Sequence, residues 1–124
     1  MIRPRRILVV EDDPGLRDTL AEVLRDDGHD VRVAEDGEVG LATIDEWAPE
    51  VIVLDLMMPR MDGFAFRDAQ RDRSGTVRAK VLLLSAATGV EAAASELEAD
   101  AWLVKPFGLH DVLRAVEGLL DNGS

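Results

Sequence analysis

Five short apolar segments alternate with five segments of helical periodicity along this chain. The apolar segments occupy residues 7–10, 30–34, 51–54, 80–85 and 101–105. All but the second are almost continuously apolar, which is typical of parallel strands covered by helices on both faces. The alternation therefore predicts an α/β domain of five strand–helix units, arranged as a three-layer sandwich with right-handed crossovers.

The first two predicted helices have clear boundaries. Asp13 is the expected N-cap of the first helix, Pro14 its first residue and Gly28 its end. Between them, an apolar stripe with the spacing of one helix face consists of Leu16, Leu20, Val23 and Leu24. The second helix is expected to follow Asp36 and to stop before Pro49.

The remaining three helices are less sharply bounded. The third is expected to start near Gly63 and to end near Ser74. The fourth begins with Thr88 and Glu91, which have the spacing of a capping box. The fifth follows Gly108.

Composition and charge limit the possible functions. A chain of 124 residues without linkers or repeats predicts one domain over residues 1–124. It has no cysteine and no run of about 18 apolar residues, and its first apolar segment is too short for a signal peptide. We therefore expect a cytoplasmic protein without disulfides. The net charge of −11 disfavours direct binding to nucleic acids or to anionic membranes.

Polar residues follow the predicted strands at the points where these strands end. Glu11 and Asp12 follow the first strand, Asp55 the third and Lys105 the fifth, while Ser85 ends the fourth. The carboxyl ends of parallel strands meet at one edge of a sheet, where α/β domains hold their chemistry. We therefore expect several carboxylates and one ammonium group to lie close together, and such a cluster requires a cation.

This set of residue types is suited to phosphoryl transfer. Glu11, Asp12 and Asp55 offer the oxygen ligands that Mg²⁺ prefers, and Mn²⁺ accepts the same donors. A carboxylate beside such an ion can attack a phosphoryl group and form an aspartyl phosphate. The ion and Lys105 would then stabilise the charge on the transferred group.

The chain resembles the receiver domains of bacterial two-component response regulators. The segments VVEDD, LDLMMPRMDG, LLLSA and WLVKPF occur in the order and at the spacing of that family. The resemblance extends from Ile7 to about Leu120. It implies the flavodoxin-like fold of the chemotaxis regulator CheY, with a parallel five-stranded sheet of strand order 2-1-3-4-5.

The resemblance also implies roles for the residues at the sheet edge. Asp55 corresponds to the phospho-acceptor. A receiver domain catalyses its own phosphorylation and dephosphorylation at this aspartate and is not a conventional enzyme. Asp12 and Asp55 would bind Mg²⁺, Glu11 would act mainly through a bound water, and Met57 would contribute its backbone carbonyl. The phosphoryl donor would be a sensor histidine kinase, a histidine phosphotransfer protein or a small phosphodonor.

A second set of residues would report the phosphorylation. By resemblance, Ser85 and Lys105 contact the phosphoryl oxygens, and Trp102 is the aromatic switch residue that turns inward. The surface of the fourth helix, fifth strand and fifth helix would then change shape and act on a downstream effector or a linked output domain. The family also has a cis peptide bond at the position of Pro106.

Three positions depart from the commonest family pattern. Trp102 stands where most relatives have Tyr or Phe, and Ser85 where Thr is commoner. Glu98 stands where many relatives have glycine, so the end of the fourth helix is expected to differ.

Other functions on a similar fold suit these residues less well. A phosphohydrolase with an aspartate nucleophile needs a second aspartate two residues later, where this chain has Met57. A flavin or nucleotide module would cradle phosphate in the first loop, which the carboxylates of Glu11, Asp12 and Asp13 would repel. A degenerate receiver that docks without phosphorylation remains the alternative. The sequence also leaves open a stand-alone regulator, a phosphorelay intermediate and the receiver part of a longer protein.

Overall fold

Strands and helices alternate through the whole described part of the chain. The structure, a computed structural model, describes residues 4–58, 61–71, 79–86 and 89–122. The strands are β1 (Arg6–Val10), β2 (Asp30–Ala34), β3 (Val51–Asp55), β4 (Lys80–Ser85) and β5 (Ala101–Val104). The helices are α1 (Pro14–Asp26), α2 (Gly37–Trp47), α3 (Gly63–Arg71), α4 (Val90–Leu97) and α5 (Leu109–Asn122).

The five strands form one parallel sheet of order β2-β1-β3-β4-β5, which confirms the predicted fold. Alternate side chains of each strand point to opposite faces. One face packs against α2, α3 and α4, and the core between them includes Leu8, Ile52 and Leu83 of the sheet and Phe66 of α3. The other face packs against α1 and α5, and its buried residues include Val9, Val53, Leu24 and Val116. None of the described helices is long and apolar enough to cross a membrane.

Local signals placed the first two helices correctly. The Asp13 carboxylate accepts a hydrogen bond from the backbone N–H of Gly15 at 3.2 Å. After α1, Gly28 adopts a φ of +95°, which glycine tolerates without steric cost. The Asp36 carboxylate accepts from the backbone N–H of Val39 at 2.9 Å at the start of α2.

The predicted start of α4 and the predicted end of β5 change. Helix α4 begins at Val90 after Gly89, whose φ of +84° turns the chain into the helix, so the predicted capping box is wrong as the helix start. Thr88, its expected first member, lies outside the described residues, as does the predicted end of α3 near Ser74. Strand β5 ends at Val104, one residue earlier than expected.

The C-terminal end of α4 and the fifth strand–helix connection also follow from backbone geometry. Glu98 has a φ of +56° and a ψ of +41°, so the helix ends in the left-handed conformation, which glycine adopts most readily. The peptide bond between Lys105 and Pro106 is cis, as predicted.

Candidate functional site

Two carboxylates and one ammonium group meet at the carboxyl edge of the sheet. Val10 pairs with Leu54 in the register of β1 and β3, so the next residues, Glu11 and Asp55, stand side by side. Lys105 follows β5, and its Nζ lies 3.5 Å from Glu11 Oε1 and 3.6 Å from Asp55 Oδ2. The structure therefore brings together residues that lie up to 94 positions apart in the sequence.

A third carboxylate completes a cluster of oxygen donors. Glu11, Asp12 and Asp55 each offer one oxygen, and these three atoms lie within 4.8 Å of one another. Glu11 and Asp55 are 1% and 4% exposed, whereas Asp12 is open to solvent. Mg²⁺ binds oxygen ligands and retains several waters, so a donor set with one solvent-facing side suits it, and the same donors suit Mn²⁺.

The close approach of two buried acids changes the protonation of Glu11. Burial, followed by the hydrogen bond with Asp55 and the negative charge of Asp55, raises the pKa of Glu11 to about 8. The backbone N–H of Asp13, 3.3 Å from Glu11 Oε2, and the Lys105 ammonium oppose this rise. Near neutral pH, in the absence of a metal ion, Glu11 is therefore mainly protonated and donates a hydrogen bond to Asp55.

The backbone around Glu11 is held on both sides. Its N–H donates to the carbonyl of Ala34 at 3.1 Å, and its carbonyl accepts from Arg17 Nη1 at 3.2 Å. Sequence reasoning missed Arg17. The sequence did contain a signal for it. A basic residue in the first turn of a helix interacts unfavourably with the helix dipole, so its presence suggests a binding partner outside the helix.

The segment after β3 is anchored just beyond Asp55. The backbone N–H of Met57 donates to Asp55 Oδ1 at 3.3 Å, and that of Leu56 donates to the carbonyl of Leu84 at 2.9 Å. Gly63 packs so closely that a Cβ there would lie 3.1 Å from Leu56 Cα, which explains the glycine at the start of α3. The side chain of Met57 is 65% exposed beside the carboxylates.

The two residues predicted to report phosphorylation occupy neighbouring strands. Ser85 ends β4, is fully buried and accepts a hydrogen bond through its carbonyl from the N–H of Lys105 at 2.8 Å. Trp102 lies on β5 opposite Leu83, and its indole is 41% exposed. The structure therefore places Ser85 at the carboxyl edge and Trp102 at the surface of the adjacent edge strand.

Comparisons with known proteins found similar sequences over nearly the whole chain. A family model described as response regulator receiver domain matches residues 7–117. The transcriptional regulatory protein TrcR of Mycobacterium tuberculosis is 36% identical over 123 residues, which is 98% of this chain and 47% of TrcR. The DNA-binding dual master transcriptional regulator RpaA of Synechocystis is 36% identical over 117 residues, 93% of this chain and 48% of that protein. The chain thus spans about half the length of these relatives.

Solved structures of similar proteins have the same fold. The chemotaxis protein CheY4 of Vibrio cholerae superposes with a TM-score of 0.86 at 30% identity, covering 94% of this chain and 98% of CheY4. A structure described as a putative response regulator of Chloroflexus aurantiacus superposes with a TM-score of 0.88 at 29% identity, covering 96% and 99% of the two chains.

Proposed function

Because this chain belongs to the response regulator receiver domain family of two-component systems, we propose that Asp55 is its phospho-acceptor. The donor would be a phosphohistidine on a sensor histidine kinase or a histidine phosphotransfer protein. The observation that carries the proposal is that the buried Asp55 carboxylate lies within 4.8 Å of two further carboxylates and 3.6 Å from the Lys105 ammonium.

The transfer requires little covalent machinery beyond Asp55. A carboxylate oxygen of Asp55 attacks the phosphorus, the P–N bond to the donor histidine breaks, and the imidazole leaves with the electron pair and gains a proton. Lys105, held by its N–H to the Ser85 carbonyl, is close enough to stabilise the charge on the transferred group. Positioning and electrostatic stabilisation are the main contributions a protein makes to phosphoryl transfer.

A divalent cation fits the same residues. Glu11, Asp12 and Asp55 would hold Mg²⁺ or Mn²⁺, with the backbone carbonyl of Met57 as a further ligand and water in the remaining positions. When bound, the ion supplies positive charge that offsets the charges of the acids and of the phosphoryl oxygens. The solvent exposure of Asp12 leaves a path for the ion and the phosphodonor.

Phosphorylation of Asp55 should change the surface formed by α4, β5 and α5, away from the modified residue. Phosphorylation replaces the single negative charge of the Asp55 carboxylate with a phosphoryl group that carries nearly two, and it adds three strong acceptor oxygens at a buried edge of the sheet. We expect Ser85 and Lys105 to contact it and Trp102 to exchange its exposed position for a buried one, which biases the surface of α4, β5 and α5. A downstream effector or a linked output domain would bind that surface.

The decisive experiment is intact mass measurement after incubation with acetyl phosphate and Mg²⁺. The wild type should gain the mass of one phosphoryl group, and Asp55→Asn should gain none. Asp62→Asn is the matched control, because Asp62 lies on the same β3–α3 connection but is exposed and accepts a hydrogen bond from the N–H of Ala65 at 3.0 Å.

The fluorescence of Trp102 is the second measurement. It should shift when Asp55 is modified, against a constant contribution from the buried Trp47. If the wild type gains no mass, or if Asp55→Asn gains as much as the wild type, Asp55 is not the acceptor. The former result would favour a docking module that acts without phosphorylation.

A further inference from the structure

Arg67 of α3 binds the C-terminal end of α4. Its Nε donates to the carbonyl of Leu97 at 2.9 Å and its Nη2 to the carbonyl of Glu98 at 3.1 Å. Its Nη1 donates to Gln70 Oε1 at 3.0 Å, one turn further along α3. One guanidinium group therefore links α3 to α4 through residues that lie about thirty positions apart in the sequence.

This helix end has a particular need for a cationic partner. The last turn of α4 carries no basic residue of its own, so Arg67 supplies the positive charge that favours a helix C-terminus. Glu98 adopts the left-handed conformation, which costs free energy for a residue with a Cβ. The hydrogen bonds from Arg67 to Leu97 and Glu98 offset part of that cost.

Within the described residues, the contacts at the two ends of α4 differ. Beyond the C-terminal end, the N–H of Asp100 donates to the carbonyl of Val81 at 2.9 Å, and Asp100 Oδ2 accepts from the N–H of Val81 at 2.8 Å. At the N-terminal end the helix follows Gly89, and within the described residues no side chain caps it. The N-terminal end is also the end that follows Ser85 and the carboxyl edge of the sheet.

We propose that Arg67 is a positioning residue of the phosphorylation switch, which fixes the C-terminal end of α4 so that the helix pivots about that end. The proposal rests on the proposed function, because the movement is the response to modification of Asp55. Anchoring matters because Glu98 is only four residues from Trp102, so the fixed end defines the backbone against which the indole repacks.

Amide hydrogen exchange on the whole chain tests the anchor directly. In the wild type, acetyl phosphate with Mg²⁺ should change exchange at residues 90–92 and leave the amides of Glu98 and Ala99 unchanged. In Arg67→Met, exchange at Glu98 and Ala99 should accelerate about tenfold even without a phosphodonor, because the contacts that hold this end closed are lost.

Arg25→Met is the matched control. Arg25 Nη2 also donates to a backbone carbonyl on another element, that of Val31 at 3.0 Å, but on the opposite side of the sheet. This variant loses the same charge and a comparable contact, so it should leave exchange at Glu98 and Ala99 unchanged.

Trp102 fluorescence measures the effect on the switch. When intact mass measurement shows that Asp55 is fully phosphorylated, Arg67→Met should show roughly half the wild-type fluorescence change, since the helix no longer has one defined pivot. Arg67→Lys should restore part of it. Adding Glu98→Gly to Arg67→Met should restore more, because glycine adopts the left-handed conformation without the Cβ penalty. Arg25→Met should respond like the wild type.

The outcomes separate this proposal from the proposed function. Loss of phosphoryl uptake by the wild type contradicts the function of Asp55 and is detected by mass alone. Unchanged exchange at Glu98 in Arg67→Met, a full fluorescence response in that variant, or phosphorylation-dependent exchange at Glu98 in the wild type would each overturn the pivot.

Discussion

Charged side chains are arranged differently at the two edges of the sheet, the amino edge where the strands begin and the carboxyl edge where they end. At the amino edge, Arg5 Nη1 lies 3.4 Å from Glu50 Oε1, the N–H of Arg6 donates to Glu50 Oε2 at 3.0 Å, and Arg6 Nη1 donates to the carbonyl of Trp47 at 2.7 Å. At the carboxyl edge, Glu11 and Asp55 place two carboxyl groups side by side in the interior.

The difference shows how stability and function are distributed. Opposite charges paired at the amino edge satisfy one another, so that edge contributes to holding the fold together. Buried like charges destabilise the fold unless a proton or a cation neutralises one of them. The carboxyl edge therefore needs a proton or a cation to neutralise one of its acids, and functional sites commonly carry such a cost in stability.

The largest expected loss of stability is at the amino edge. Trp47 is buried, and the guanidinium groups of Arg32 and Arg6 lie 4.9 Å and 5.9 Å from its ring centroid. Trp47→Ala should lower the free energy of unfolding by about 3–5 kcal/mol in urea denaturation. The folded variant should still gain a phosphoryl group; failure to do so would mean that the edges are not independent.

The second effect concerns pH. Because the pKa of Glu11 is about 8 in the folded protein and 4.5 ordinarily, the folded state binds more protons between these values, and stability falls as the pH rises through that window. Glu11→Gln should remove this dependence in metal-free protein. Its stability relative to the wild type should rise by on the order of 2–4 kcal/mol from acid to alkaline pH. Parallel pH profiles would contradict the pKa shift.

A smaller effect is expected from the cation. At ten times its dissociation constant, Mg²⁺ should raise the free energy of unfolding by about 1.4 kcal/mol, because it binds the folded state only. At a fixed Mg²⁺ concentration the stabilisation should increase with pH, since Glu11 must lose its proton before it can bind the ion. Thermal denaturation of Asp55→Asn should show much less stabilisation, whereas Asp62→Asn should match the wild type. Equal stabilisation of all three proteins would place the ion elsewhere.

The smallest effect is expected at the rim of the amino edge. Arg5 and Glu50 are partly exposed, so their ion pair is screened by solvent. Arg5→Met should lower the free energy of unfolding by no more than about 1 kcal/mol, and less at high salt. Chemical denaturation at two salt concentrations measures this difference. A loss as large as that of Trp47→Ala would show that the ion pair stabilises this edge as strongly as the buried ring does.

Most of the fold was predictable because its signals are local. The apolar runs of the strands, the N-caps Asp13 and Asp36 and the turn at Gly28 each act within a few residues, and the structure confirms them. The start of α4 was predicted wrongly from the capping box of Thr88 and Glu91, because the helix begins at Val90 after the left-handed turn at Gly89. The contacts of Arg17 and Arg67 were missed, because their partners are backbone carbonyls, which no sequence motif marks.

By itself, the sequence determined which residue types end the strands and which helices cover them, because strand alternation, helix periodicity and capping depend on neighbours along the chain. Only the tertiary structure decided the 3.6 Å approach of Lys105 to Asp55, the raised pKa of Glu11 and the attachment of α4 to α3. These properties depend on distance and burial between residues far apart in the chain, and packing alone sets both.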